Sequence, residues 1–106
     1  MMAIQPQPSF LVLEPNVPVR VRAKAARMET REITDPTTRQ IKPLDILVLD
    51  ITEVNGVPEQ TVLSFTSFKA QQTITPLANS GELYRKVLEV TRRPRGYATE
   101  YEMRLL

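Results

Sequence analysis

The stretch that decides the fold is Lys86-Val-Leu-Glu-Val-Thr-Arg-Arg-Pro-Arg-Gly-Tyr-Ala-Thr-Glu-Tyr-Glu-Met-Arg-Leu-Leu106. Residues 87–91 are mostly apolar and β-branched, and residues 97–105 alternate between apolar and polar side chains. Such alternation is typical of a strand with one buried face and one wet face. Between the two strands lies Arg-Arg-Pro-Arg-Gly, residues 92–96. The pattern predicts a hairpin whose turn carries three guanidinium groups, which suit phosphate better than a core.

Length and composition favour one globular domain. The chain has 106 residues, of which 42% are apolar, enough for a modest core. Its longest apolar run, residues 46–49, is far too short to cross a membrane, and the N-terminal residues lack the basic-then-apolar order of a secretion signal. We therefore expect a cytoplasmic, intracellular protein. Residues 1–9 are predicted to be a flexible tail, or alternatively a partner-binding arm, and residues 10–106 the folded domain.

The chain contains neither cysteine nor histidine. Thiolate and imidazole metal sites and histidine acid–base catalysis are therefore excluded. Asp45 and Asp50 are five residues apart on a predicted strand, so their side chains point to opposite faces and do not form a catalytic or metal pair. We expect a protein that is not an enzyme and needs no cofactor.

The charges are unevenly distributed, although the net charge is only +2. Residues 20–31 carry five cations against one glutamate, and residues 85–97 carry the same ratio. Residues 44–67 carry four carboxylates and no base. Two basic segments that flank an acidic one indicate an anionic ligand.

Three strands are predicted before the hairpin. Residues 17–33 alternate valine or alanine with cations, and the small residues 25–26 interrupt the pattern, which predicts a long first strand with a bulge or bend. Residues 40–53 are almost continuously apolar at their centre, as in a strand covered on both faces. Asn55-Gly56 is a hairpin signal, and a third strand follows over residues 59–65.

A helix is predicted over residues 68–79, capped by Thr66 or Ser67 and ended near Gly81. Pro76 predicts a kink or a split into two short pieces. Residues 10–13 are interpreted either as a first edge strand or as a plug under one end of the fold. The stripe expected to be buried on the helix is Phe68, Ile74, Leu77 and Ala78, and the core expected in the strands is Leu47, Leu49, Val90, Tyr101 and Met103.

The order strand, strand, strand, helix, strand, strand, with a long bent first strand, resembles the oligonucleotide-binding (OB) fold, a five-stranded Greek-key barrel. The resemblance covers residues 17–105, and within that fold the chain is similar to small single-stranded-DNA-binding domains of replication and repair proteins. It implies a ligand that crosses the outer face of the middle strands, gripped by the loop at residues 34–39 and the basic turn at residues 92–96. It also implies stacking rings on the middle strands, where this chain supplies only Phe65.

We therefore expect a protein that binds single-stranded nucleic acid without sequence preference, with DNA preferred and RNA as the alternative ligand, in replication, recombination or repair. Cations would follow the backbone and a few rings would accept bases. The candidate binding residues are Arg20, Arg22, Lys24, Arg27, Arg39, Phe65, Arg92, Arg93, Arg95 and Tyr97.

Other interpretations stay open at this point. The cations of the first strand either bind the ligand or pair across strands with Glu100 and Glu102. The turn at residues 92–96 is otherwise a charged surface turn, and Tyr97 either stacks on a base or closes the mouth of the barrel. The alternative function is an OB-type interaction or assembly subunit of a larger complex, with a protein partner or self-association.

Overall fold

A computed structural model describes residues 10–96 and 98–106, which form one antiparallel sheet of five strands with two helices. The elements are β1 (Val19–Thr34), β2 (Ile41–Val54), β3 (Val57–Phe65), α1 (Phe68–Ser80), α2 (Glu82–Arg85), β4 (Leu88–Arg95) and β5 (Ala98–Leu105). The predicted mostly-β class is confirmed, with 18% of the described residues helical. The predicted tail at residues 1–9 and Tyr97 lie outside the described residues. None of the described helices is long and apolar enough to span a membrane.

The strand order in the sheet is β3-β2-β1-β4-β5. Among the described residues no hydrogen-bonded ladder joins β3 to β5, so the sheet is not closed into the barrel that the sequence predicts. We call the gap between these two strands the seam. Because β4 lies between β1 and β5, the expected meeting of the first and last strands does not occur.

The first strand is long and serves two neighbours. Its beginning pairs with β4, where Val19 lies opposite Val90, and nearly its whole length pairs with β2 up to Thr34 opposite Ile41. The register of β1 against β2 shifts between Arg22 and Ala25, which is the predicted bulge, a few residues earlier than expected. A bulge increases local twist, and this one follows the segment of β1 that pairs with β4. Beyond the last residue paired with β3, β1 and β2 form a two-stranded arm, residues 29–46.

The main core lies between the sheet and the helices. Leu47, Leu49 and Val90 are buried as predicted, whereas Tyr101 and Met103 are only partly buried at the edge of the sheet. The other buried members of this core are Leu13, Val19, Val21, Ala23, Ile51, Leu63, Phe65, Ala70, Ile74, Leu83 and Leu88. Burial of these side chains supplies most of the stabilisation, at about 1.5–3 kcal/mol for a large side chain.

Residues 10–16 fill the seam rather than extend the sheet. The Leu11 N–H donates to the Val62 carbonyl of β3 (2.9 Å), and the Asn16 N–H donates to the Arg92 carbonyl of β4 (2.8 Å). Leu13 lies between these two bonds and is buried. This segment is a plug, because it bonds to β3 near its beginning and to β4 near its end, at single positions.

Helix α1 begins and ends where the sequence predicts. The Ser67 hydroxyl accepts from the Ala70 N–H (3.3 Å), and Gly81 adopts a left-handed conformation with φ of 81°. The predicted split at Pro76 is wrong, since α1 continues through this residue, which lies on an exposed face and offers no N–H to the Gln72 carbonyl. In place of one helix there are two, because α2 follows directly. Phe68 is 72% exposed and does not belong to the buried stripe.

The three arginines of the hairpin lie in β4 and not in a turn. Arg93 pairs with Glu100 and Arg95 with Ala98, so the ladder runs to the end of β4. Opposed carboxylates on β5 favour this extension, and Pro94 is tolerated opposite Thr99 because its missing N–H can face away from β5. Gly96, with φ of 58°, lies in the turn that remains.

Candidate nucleic-acid interface

The outer face of strands β1, β4 and β5 brings the two basic segments together. Val19, Val21 and Ala23 of β1 are buried, and the cations between them are exposed. Arg20 lies in register with Glu89, and Glu89 with Arg104, so these residues share one face. We call it the outer β1–β4–β5 face. By the same alternation its cations are Arg20, Arg22, Lys24, Arg93, Arg95 and Arg104.

Glu89 is the centre of this face. Its carboxylate accepts a hydrogen bond from Arg104 Nε at 2.7 Å and from Arg20 Nε at 3.2 Å. Its side chain is only 14% exposed, whereas the two arginines are more than half exposed. The bond from Arg104 is the main cause that holds the pKa of Glu89 below its usual value; desolvation opposes this shift, and Arg20 adds to it. The carboxylate therefore fixes two guanidinium groups at the surface.

Most other cations of the face also have carboxylate partners. The ion pairs are Arg22 with Glu53 at 3.2 Å, Arg93 with Glu102 at 3.3 Å and Arg95 with Glu100 at 3.3 Å. Lys24 makes no ion pair with a residue that the structure describes. The expected pairing of the β1 cations with Glu100 and Glu102 is wrong, because β4 intervenes and its own arginines take those partners. The face is thus a ladder of alternating charge with an excess of cations.

An open cleft of about 520 Å³ lies at one end of the outer β1–β4–β5 face. It is lined by Arg20 and Arg22, by Glu53, by the Asn55-Gly56 turn and by Leu106. The turn is fixed to β1 because the Arg20 N–H donates to Asn55 Oδ1 (3.0 Å) and the Asn55 N–H donates to the Arg20 carbonyl (2.7 Å). Two arginines at the wall of a cleft suit an anionic group such as a phosphate.

Arg92 does not belong to this face. It lies opposite Tyr101 on the inward side of the hairpin and is half-buried. Its Nε donates to the Leu13 carbonyl at 2.9 Å and so holds the plug. Strand alternation places Arg92 on the other side of β4 from its neighbour Arg93, so Arg92 has a structural contact here and its contact with phosphate stays a prediction.

The remaining predicted cations, Arg27 and Arg39, lie beyond the bulge of β1. Arg27 donates to Asp50 at 2.7 Å and to Glu29 at 3.0 Å. These bonds raise the pKa of Arg27, and the bond to Asp50 is the larger cause. The pKa of Glu29 is lowered because its carboxylate accepts hydrogen bonds from Arg31, the larger cause, and from Arg27. Arg39 is exposed at the tip, with φ of 57°, and makes no ion pair with a described residue. Arg27 lies opposite Val48 and continues the outward side of β1 past the bulge, whereas Arg39 lies in the loop between β1 and β2.

The predicted stacking ring of Phe65 is not at the surface. Phe65 is 0% exposed and lies in the core, so the expectation of an accessible ring on β3 is wrong. Its alternation along β3 directs it to the helices together with Leu63. Tyr97 lies outside the described residues. The described rings with much exposed surface are Phe10, Phe68 and Tyr84. Sequence reasoning missed Tyr84, since it assigned no element to residues 82–85.

The outer face of the middle strands also differs from the expectation. Instead of rings it carries an apolar cluster of Ile46, Val48 and Val62, with Leu44 packed against it. All three of its main side chains are at most 6% exposed. The almost continuous apolar run of β2 does indicate this second cluster, because it supplies side chains to both faces.

Comparisons with known proteins identify no relative: no family model, no curated protein and no solved structure matches this chain. Within the described residues there is no group of three or more acidic side chains placed to hold a metal ion.

Proposed function

We propose that this chain is an OB-type domain that binds single-stranded nucleic acid on the outer β1–β4–β5 face. The OB assignment is supported by the order of the first four strands, since β4 returns to lie beside β1 as in a Greek key. The helices between β3 and β4 and the bent β1 also agree with it. A plug in the seam is a departure that a partly open barrel tolerates.

The observation that carries the binding proposal is the position of both basic segments on one face. Arg20, Arg22 and Lys24 come from the first segment and Arg93 and Arg95 from the second, although about 70 residues separate them in the chain. A single strand of nucleic acid presents a row of phosphates, and a row of cations that tracks it provides affinity without sequence preference. The cleft beside Arg20 and Arg22 supplies one end of such a track.

The carboxylates on this face reduce the affinity but do not abolish it. Exposed ion pairs contribute about 0–1 kcal/mol each, so an arginine can exchange its carboxylate for a phosphate at small cost. The exchange favours the more exposed pairs, such as Arg95 with Glu100, over the pair of Arg20 with the less exposed Glu89. We expect moderate affinity with a strong dependence on salt.

A labelled single strand, a duplex of equal length and an RNA strand of the same sequence, each titrated at two salt concentrations, test the proposal. We expect the DNA strand to bind most tightly and more weakly at the higher salt. The diagnostic variant is Arg22→Ala with Lys24→Ala, which leaves the bonds of Glu89 in place. Its matched control, Lys69→Ala with Arg85→Ala, removes two charges from the helices on the core side of the sheet.

The first variant should weaken binding and the control should not. Equal loss in both would indicate a nonspecific cationic surface. No binding to any strand at low salt would contradict the proposal. It would favour a second candidate, an interaction or assembly subunit, for which the interleaved carboxylates of the same face are the supporting observation.

A further inference from the structure

The outer edge of β5 has no partner among the described residues. β5 is the last strand of the sheet and pairs only with β4. The plug forms its backbone bonds with β3 and β4 and none with β5. An edge strand of eight residues presents a row of N–H and C=O groups that another strand can pair with.

Four residues of β5 direct their backbone groups to this edge. The Leu106 N–H donates to the Val87 carbonyl (2.8 Å), so these two residues form a hydrogen-bonded pair. Bonded and non-bonded pairs alternate in an antiparallel ladder. The backbone groups of Glu102 and Arg104 therefore face β4, and those of Thr99, Tyr101, Met103 and Leu105 face outward.

The side chains of the same strand repeat symmetrically about Met103. On the outer side Glu102 precedes it and Arg104 follows it, and on the inner side Tyr101 and Leu105 flank it at equal distance. Glu102 and Arg104 are 61% and 66% exposed. A strand with opposite charges at equal distances from its centre is complementary to itself in antiparallel pairing.

We propose that two copies of this chain associate by antiparallel pairing of β5 with β5, centred on Met103. In this register Glu102 of each copy lies opposite Arg104 of the other, at non-bonded positions where side chains approach most closely. The outward backbone N–H and C=O groups of Tyr101 in each copy form hydrogen bonds with those of Leu105 in the other copy. On the outer side of the sheet, a row of alternating charges then crosses the interface. It runs through Arg20, Glu89 and Arg104 of one copy and continues with Glu102 and Arg93 of the second copy.

The neighbouring register is less favourable. Antiparallel pairing of the two β5 strands centred on Glu102 also joins their outward backbone groups. It places the two Glu102 carboxylates directly opposite each other, however. Like charges in that position destabilise a sheet. The proposal does not depend on nucleic-acid binding, although it would join the two five-stranded sheets into one sheet of ten strands and place the outer β1–β4–β5 faces of both copies side by side.

Sedimentation velocity of the full chain from about 1 µM to about 1 mM tests the association. We expect a monomer–dimer equilibrium. Glu102→Arg alone and Arg104→Glu alone each place like charges across the interface and should weaken self-association at least about tenfold. An equimolar mixture of these two variants restores opposite charges at both positions, so the mixture should form heterodimers.

Glu100→Arg is the matched control. It reverses a charge on the same strand and face and removes an ion pair with Arg95, yet in the proposed register Glu100 lies opposite Leu106 of the second copy. Its dimerisation should equal that of the parent. Circular dichroism of each variant checks the fold. A parent that stays monomeric at every concentration, single variants that dimerise like the parent, or a mixture that remains monomeric would overturn the proposal.

Discussion

The ring of Tyr101 on β5 stands at 86° to the ring of Phe65 on β3, with the ring centroids 5.1 Å apart. This edge-to-face contact joins the two edge strands across the seam, where no ladder joins them among the described residues. Such a ring pair contributes about 0.5–1.5 kcal/mol beyond the burial of its surface. Side-chain packing therefore holds β3 against β5 at the seam, whereas backbone hydrogen bonds hold the other neighbouring strands together.

The first prediction concerns this contact. Tyr101→Ala should lower the free energy of unfolding by about 2–3 kcal/mol, below the usual cost for a buried ring because Tyr101 is only partly buried. Tyr101→Phe keeps the ring and should change it by less than about 0.5 kcal/mol. Urea unfolding measures both. Equal losses in the two variants would assign the stabilisation to the hydroxyl and contradict the role of the ring pair.

A second prediction concerns acid stability. Because hydrogen bonds from Arg104 and Arg20 lower the pKa of folded Glu89, the unfolded chain takes up its proton at higher pH than the folded chain. The contribution of Glu89 is thus fully present above the pKa of the unfolded glutamate, about 4.3, and is lost as the pH falls through the lower folded value. In Glu89→Gln the free energy of unfolding should depend less on pH in this acid range.

The control for that measurement is Glu59→Gln. Glu59 is exposed on β3 and makes no ion pair with a described residue. Its replacement should leave the slope of unfolding free energy against pH close to that of the parent. If both variants flatten the acid slope alike, the arginine bonds of Glu89 are not its cause.

The third prediction concerns the plug. Arg92→Ala removes the charge-assisted bond to the Leu13 carbonyl and should cost about 1–3 kcal/mol, since that carbonyl is left without its donor. The Leu11 amide, which bonds across to Val62, should exchange its hydrogen faster. Hydrogen exchange followed by NMR measures this. Arg95→Ala, which breaks only an exposed ion pair, should leave that amide as protected as in the parent.

Local patterns predict much of this fold. The alternation from Val19 to Ala23 gives β1, Asn55-Gly56 gives the hairpin between β2 and β3, and Ser67 and Gly81 bound the helix. Each of these signals acts through neighbouring residues only. The role of residues 10–16 depends on strands that come about 50 to 80 residues later, so the local pattern leaves an edge strand and a plug equally open, and only the contacts with β3 and β4 decide for the plug.

The sequence predicts which cations of β1 face outward, but it does not predict which carboxylates form ion pairs with them. Arg20, Arg22 and Lys24 face outward as the alternation implies. The predicted turn over residues 92–96 is wrong because residues 92–95 continue β4, and strand alternation then places Arg92 on the opposite side of the sheet from Arg93 and Arg95. Phe65 was misassigned because composition alone does not tell which face of β3 lies on the core.

The last prediction separates charge from stacking in nucleic-acid binding. Arg93→Ala with Arg95→Ala removes two outward cations, and if both contact phosphate, the slope of log affinity against log salt should fall by roughly 1.4, at about 0.7 per contact for a single strand. Tyr97→Ala should cost about 1–3 kcal/mol of binding with nearly the same slope, because a stacked ring releases no counterions. Lys69→Ala with Arg85→Ala is the equal-charge control. Fluorescence anisotropy at several salt concentrations gives the slopes. If the slope of log affinity against log salt is the same for the β4 double variant as for the parent, the two arginines do not contact phosphate. They would then serve only in their ion pairs with Glu102 and Glu100.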